Sequence, residues 1–476
     1  MRKRDFADGF YVLQSRWKIC KRHLVCYGIR KAPYTFANSV KVPGRILRFL
    51  QENDGKVAAS AVAKSFALKR LARQGILVRQ EDKRDIPRDM GEARFCKNCV
   101  ANDYLIPGLE LDENGLCPMC ASKERLKHLT AVLPTVSEIP RNPKGGIDVA
   151  LFYTGGKDST FLLYYLTKKL GLRVLALTWV TEYMSDSAKK NVAKAKEIFR
   201  DVRFEEKKPS AETTAKIYAA HYALAGNTCM CPSLAYVLFF ELLADEKVPY
   251  LVLGNEPVQM HNLLFNNISP LIAFDKRWQA VGRFFFNLGR IITFRKPLAG
   301  GQMQMYFTVR TLAKGTFWGA GNEGRYQNEQ VLNVHEALKS APEIFLPFCE
   351  AVRKNSKKGN LPRLVHMDFA KISDGYKWNE IKGLIEREAG WSAGDGKALH
   401  TSCDIEKCKE YTQFVRFRDM QSRTVPYSAV ELSLAVSSGN VTREDALAEI
   451  ERSGFFGCER ETKLMKKPFE RRGERD

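Results

Sequence analysis

Six residues, Thr154-Gly155-Gly156-Lys157-Asp158-Ser159, follow the apolar run Val149-Ala150-Leu151-Phe152-Tyr153 and precede the helix-like Thr160-Phe161-Leu162-Leu163-Tyr164-Tyr165-Leu166. A strand, a glycine turn and a helix start in that order make a place to hold phosphate. Gly155 and Gly156 lack Cβ atoms, so the backbone can take positive φ and bring its N–H groups close to an anion. The helix behind them offers unpaired N–H donors and the positive end of its dipole. Lys157 adds a charge and Ser159 a hydroxyl. Asp158 is the informative member: a carboxylate beside a phosphate makes sense mainly with a divalent cation, Mg²⁺, between them. The turn matches neither G-x-x-x-x-G-K-[ST] nor G-x-G-x-x-G.

The chain has twelve cysteines, and four of them fall as two Cys-x-x-Cys pairs. Cys96-Lys97-Asn98-Cys99 and Cys117-Pro118-Met119-Cys120 are separated by 17 residues that include the turn-like Asp112-Glu113-Asn114-Gly115. Two such loops complete a closed four-sulfur site, for which zinc is the expected ion, and a site filled by protein ligands is structural and not catalytic. Cys229-Met230-Cys231-Pro232 is open to two readings. The pair lines an acceptor pocket or ligates a metal, as a sulfur-inserting enzyme would use it, or the thiols are inert and buried. After Gly254 comes a polar stretch with Asn255, Glu256, Gln259, His261, Asn262, Asn266 and Asn267. Residues 391 to 408 form a second one, with Trp391, His400, Ser402, Cys403, Asp404, Lys407 and Cys408, that is expected to reach the site from the C-terminal part. Cys403 and Cys408 lack two further partners for a metal.

Stepping outward, the pattern from residue 147 alternates short β-rich runs with helical stretches: Val149 to Tyr153, Ser159 to Leu170, Val174 to Val180, Ser187 to Phe199 and Val202 to Glu205. This predicts an α/β fold, a parallel sheet with helices on both faces. Ligands in such sheets bind outside the carboxyl ends of the strands, where Tyr153-Thr154, Thr178-Trp179 and Leu253-Gly254 would converge. Thr178 and Trp179 are then candidates for the side that faces a base.

The net charge is +22, and residues 1 to 95 carry 22 Lys and Arg against 9 Asp and Glu. Contact with nucleic acid, an anionic membrane face or an acidic partner would explain it, as would a solvated basic surface. Gly44 to Asn53, Ala58 to Arg73 and Gly75 to Gln80 suggest two helices and a strand, somewhat like a winged helix. The middle segment is short for the two separate helices of a DNA-reading motif, so a basic accessory or docking module is expected. The organisation expected is a basic α+β module over 1–94, a zinc ribbon over 95–125, the nucleotide domain over 145–345, a helical region over 346–460 and a basic tail over 461–476. No run reaches the roughly 18 apolar residues of a membrane span, and no signal-peptide core follows Met1-Arg2-Lys3-Arg4-Asp5. A cytoplasmic location is the default. Leu271 to Phe294 is aromatic-rich but broken by Asp275, Lys276, Arg277, Arg283 and Arg290; it reads as amphipathic, packing on a core or a partner.

The glycine turn resembles that of the PP-loop ATP pyrophosphatases, within the HUP-like, adenine nucleotide alpha hydrolase-like superfamily, whose signature is Ser-Gly-Gly-x-Asp-Ser/Thr. Thr154 stands where that family usually has Ser and keeps the hydroxyl. The ribbon, its acidic-Gly turn and the later loop together resemble the N-acetyl sugar amidotransferases of surface-polysaccharide (lipopolysaccharide) biosynthesis, from about Phe95 to about Arg452. Leu251 to Pro257 is similar to that family's second nucleotide strand, reading Gly-Asn-Glu where the family reads Gly-Glu-Asn. Ser438 to Leu447 is similar to its closing helical segment, and as residues reads as a Thr-capped helix with acids in its first turn.

The resemblance implies an enzyme that cleaves ATP between the α and β phosphates. It would place AMP on the acetamido oxygen of an N-acetylated nucleotide sugar and let ammonia displace it. Phosphates would be held by Gly155, Gly156, Lys157 and Ser159, with Mg²⁺ near Asp158, and Thr154, Thr178 and Gly254 would also line the nucleotide. Glu256 would take a proton from ammonia or help to hold Mg²⁺. Cys229, Cys231, His261 and His400 are candidates for substrate or a second metal. Met1-Arg2 supplies no N-terminal cysteine nucleophile, and no Cys-centred glutaminase elbow is visible, so a separate glutaminase subunit is the implied ammonia source. A second expectation is sulfur transfer to tRNA or a small molecule, which would use the basic charge and the Cys229/Cys231 pair. A third, a nucleotide-sensing scaffold, needs a vestigial loop, and the six residues look intact.

Overall fold

Strand β8 (Val149–Phe152) is apolar at every position because both of its faces are covered. Val149, Leu151 and the following Tyr153 face one layer of helices, while Ala150 and Phe152 face another. This is the period-two alternation of a strand buried twice over. The computed structural model describes residues 9–20, 22–31, 34–35, 38–124, 134–226, 228–230, 233–254, 256–265, 275–315, 329–393, 417–420 and 425–452. Cys231, Asn255, Asn266, Asn267, His400, Ser402, Cys403, Asp404, Lys407, Cys408 and the 461–476 tail lie outside them.

Around β8 run β9 (Val174–Trp179), β10 (Arg203–Lys207), β11 (Tyr250–Leu253), β12 (Arg363–Met367) and the short β7 (Thr135–Val136). They form a six-stranded sheet in the order β10-β9-β8-β11-β12-β7. Every pairing in it is parallel. The chain runs outward from β8 through β9 to β10, then returns to place β11 on the other side of β8. A topological switch point therefore lies between β8 and β11. β12 and β7 carry the sheet past the 145–345 span expected for it.

One face is covered by the helices Lys157–Tyr164, Asp186–Ile198, Trp378–Ala389 and Tyr427–Ser438. The other is covered by Ala211–Ala225, Ser233–Asp245, Gln302–Lys314, Glu329–Leu338 and Pro342–Lys358. Ser210 and Ser185 cap two of these helices by accepting from the N–H groups of Thr213 and Ala188. The C-terminal helix Arg443–Arg452 is capped as its sequence suggests, with Thr442 Oγ1 accepting from Asp445 N at 3.0 Å.

The N-terminal region holds β1 (Phe10–Leu13), β2 (Trp17–Cys20), β3 (His23–Cys26), β4 (Ser39–Lys41), β5 (Val57–Ala58) and β6 (Leu77–Arg79). They build two antiparallel sheets, β5-β1-β6 and β2-β3-β4. The segment expected to be too short for two helices contains two, Ala59–Lys64 and Phe66–Arg73. Ser65 makes this possible: it is extended, ends the first helix and caps the second by accepting from Leu68 N at 3.4 Å. Arg16 ties the region to the rest of the chain. Its buried guanidinium donates to the carbonyls of Tyr27 (2.7 Å), Arg418 (2.8 Å) and Phe417, and lies over the Phe417 ring.

Candidate functional site

The glycine loop leaves β8 at the switch point. Tyr153 N still donates to Leu177 O at 2.9 Å, and Thr178 Oγ1 donates to Tyr153 O at 2.8 Å. Thr178 is thus buried against the start of the loop and sets its direction; Trp179 packs edge-on against Phe152. At Gly155 the chain turns with φ +73°, and a Cβ there would stand 2.5 Å from Ala188 O. No other residue type fits that turn. Asn191 Nδ2 (3.0 Å) and Trp391 Nε1 (3.1 Å) both donate to Gly155 O and hold the carbonyl away from the crevice.

Gly156 then opens the helix Lys157–Tyr164. Thr154 N and Oγ1 lie 3.4 and 3.3 Å from Ser159 Oγ, closing the loop on itself. The N–H groups of Gly156, Lys157, Asp158 and Ser159 have no hydrogen-bond partner among the described residues. Helix starts leave such donors free for an anion. At the neighbouring strand end, Gly254 lies beside Ser159, where a Cβ would stand 3.9 Å from the serine backbone, and the helix Pro257–Phe265 begins. Two helix N-termini therefore meet at one crevice.

Lys157, Asp158 and Glu256 come together behind the loop, 6 %, 6 % and 1 % exposed. Lys157 Nζ is paired with Asp158 Oδ1 and lies 3.6 Å from Glu256 Oε1. Tyr376 OH donates to Asp158 Oδ1 at 2.6 Å, and Gln259 Nε2 to Asp158 Oδ2 at 2.9 Å. Trp378 Nε1 donates to Glu256 Oε2 at 2.9 Å. The ammonium also faces both rings, 4.6 Å from the centre of Tyr376 and 5.0 Å from that of Trp378. Burial pushes the Glu256 carboxyl up to about 8, with Lys157 opposing and Asp158 adding to the rise. Burial works against the Lys157 charge, but the two carboxylates outweigh it and raise the ammonium above its ordinary value. Lys382, on the helix that carries Trp378, is pushed down to about 8 by burial, and Lys157 adds repulsion.

Tyr376 itself sits at φ +48°, unusual for an aromatic residue. Asn440 holds the bend: its Nδ2 donates to Gly375 O and Tyr376 O, both at 3.1 Å, and its carbonyl accepts from Trp378 N at 3.0 Å. Sequence reasoning passed over Tyr376, Trp378, Asn191 and Asn440. Only Asn191 carried a signal, as a polar residue within the apolar stripe Ala188, Val192 and Ala195. Around the same wall, Asn262 Nδ2 donates to the buried Glu431 at 2.8 Å, His261 is half-buried, and Cys229 is buried against Tyr427.

Asp158 collects an ammonium, a phenol and an amide, so both of its oxygens are already taken by donors and do not fit a Mg²⁺ ligand. The cysteine pairs do fit an ion. The sulfurs of Cys96, Cys99, Cys117 and Cys120 lie within 4.8 Å of one another, all buried. Backbone N–H groups of Asn98, Ala101, Cys117 and Cys120 point at three of these sulfurs from 3.3 to 3.5 Å, a geometry that favours thiolates. Such a set could hold zinc. Arg443 Nε reaches Cys99 O at 3.3 Å, tying the knuckle to the C-terminal helices. No protein-family model matches the chain, and no curated protein matches it.

Proposed function

We propose that the chain is an ATP-dependent adenylating amidotransferase, exchanging an acetamido or amide oxygen of an N-acetylated nucleotide sugar for ammonia-derived nitrogen in polysaccharide biosynthesis. The observation that carries this reading is the glycine loop at the switch point, with four N–H groups of Gly156 to Ser159 lacking partners. The acceptor oxygen attacks the α-phosphate of ATP and pyrophosphate leaves with the bond electrons. Ammonia adds to the activated carbon, loses a proton, and AMP departs with the original oxygen. Charge on the phosphates is met by the loop backbone, Ser159 and two helix dipoles, and Lys157 contributes from behind. Glu256 is the group to accept the proton that ammonia loses, and only its ionised form can do so; with the carboxyl pushed up to about 8, that form fills as pH rises through 8. A zinc ion on the four cysteines would hold the knuckle in place and take no part in the reaction. Ammonia would come from a separate glutaminase subunit, with the work done in the cytoplasm.

Protein incubated with ATP, an ammonium salt and a panel of N-acetylated nucleotide sugars should release AMP only with a matching acceptor, whose mass changes by the replacement of O with NH. ADP as the nucleotide product, or AMP formed equally without acceptor, would refute it. A sulfur-transfer reading on tRNA is favoured by one feature: the helix Phe66–Arg73 carries Lys69, Arg70 and Arg73 and no carboxylate. Salt-sensitive tRNA binding would move the account that way.

A further inference from the structure

The helix Lys276–Ile292 was expected to pack its apolar side on a core or a partner. It packs by its other side. Asn287 exchanges hydrogen bonds with Leu298, donating to its carbonyl and accepting from its N–H, both at 2.9 Å. Arg290, although charged, is turned inward: Nε donates to Lys296 O at 2.7 Å and its guanidinium lies 5.5 Å from the Tyr306 ring. Phe286 packs on Tyr306 and Phe307. The residues left outside are Trp278, Val281, Phe284, Phe285, Leu288, Ile291 and Ile292, between 44 and 68 % exposed. They recur at helical spacing and make one continuous stripe. Just past the helix, Phe294 takes φ +54° and stands fully exposed.

Charge decides what can cover this stripe. Lys276, Arg277, Arg283, Arg295 and Lys296 are exposed around it, no Asp or Glu occurs from 276 to 296, and the adjacent Asp275 is engaged as the helix cap, accepting from the N–H groups of Arg277 and Trp278. A second copy would set two cationic rims against each other, five cations on each and only the capping Asp275 to offset them. An anionic bilayer surface supplies both halves of the match: acyl chains for the stripe and phosphate headgroups for the rim, with the long Lys and Arg stems reaching back to the headgroups. Among the described residues no helix is long and apolar enough to cross a membrane, so the contact is one of lying on the surface. We propose that this helix docks the protein on an anionic lipid bilayer, with Trp278, Phe285 and Phe294 inserted between headgroups. The inference stands apart from the adenylation reading, since none of its residues belongs to the loop.

The test is flotation of the full chain with vesicles of phosphatidylcholine alone and with phosphatidylglycerol added, at low and high salt. Expected is binding to the anionic vesicles only, weakened by salt. Arg283→Gln should weaken it about fivefold, the share of one cation near such a surface. Trp278→Ser with Phe285→Ser should abolish it, while circular dichroism and the melting temperature stay those of the parent. Failure to float with either vesicle would overturn the proposal. So would a dimer in sedimentation that the same double substitution dissociates, which would assign the stripe to a second copy.

Discussion

The cysteine knuckle and the glycine loop are both short motifs, yet they are finished in opposite ways. The knuckle brings its own partners: four sulfurs and the N–H groups that point at them all lie between Cys96 and Cys120. The loop is finished from afar. Gly155 is held by Asn191 and Trp391, Asp158 by Gln259 and Tyr376, and Glu256 by Trp378. A cluster whose sulfurs and donors are neighbours in sequence can form locally, whereas the loop exists only once the sheet and the C-terminal helices have assembled. Damage to the first should be all-or-none, and damage to the second graded.

The largest effect is expected at the knuckle. A zinc ion on the four cysteines would contribute on the order of 10 kcal/mol or more to a small folded unit, so under that proposal the purified chain carries zinc, and Cys117→Ser should lower its metal content and unfold the ribbon, measured as metal content and protease sensitivity. Next comes Lys157→Met, which strands the buried Asp158 carboxylate beside Glu256 and should cost ~3–5 kcal/mol in urea unfolding. Gly155→Ala forces a Cβ against Ala188 O and should cost ~1–3 kcal/mol through the strained turn, and nucleotide affinity should fall with it. Smallest is Trp391→Phe, which keeps the ring and deletes one hydrogen bond, ~1 kcal/mol by the same assay. If Trp391→Phe and Lys157→Met instead unfold the chain as completely as Cys117→Ser, the contrast between the two motifs fails.

Titration separates them further. The folded Glu256 holds its proton up to about pH 8, above the ordinary value of 4.5. Between those values the native state carries a proton that the unfolded chain has lost, so stability falls as pH rises through that window. Glu256→Gln should flatten this part of the profile of melting temperature against pH; an unchanged slope would place the titration elsewhere.

The sequence was most readable where a feature is local. The five alternating runs from Val149 to Glu205 match five elements within a few residues, and the clearest are β8 and β9, because strands buried on both faces leave unbroken apolar runs. Ser65 as a helix divider was missed because a single capping serine carries little weight against an otherwise continuous helical pattern. Tyr376 and Trp378 were not readable at all: an aromatic pair after a strand looks like core, and only the fold shows that both donate to the buried carboxylates. Burial of Lys157 was hidden for the same reason, since its neighbours Glu256 and Tyr376 are remote in the chain. The exposed stripe of Lys276–Ile292 was visible as amphipathic, but which side faces inward depends on Asn287 and Arg290 reaching Leu298 and Lys296.

If the loop supports attack on the α-phosphate of ATP, an acceptor whose acetamido oxygen is isotopically heavy should, in one turnover, leave that oxygen in AMP, with pyrophosphate unlabelled. Heavy oxygen in inorganic phosphate, with ADP as the nucleotide product, would mean attack at the γ-phosphate and would contradict the proposed adenylation.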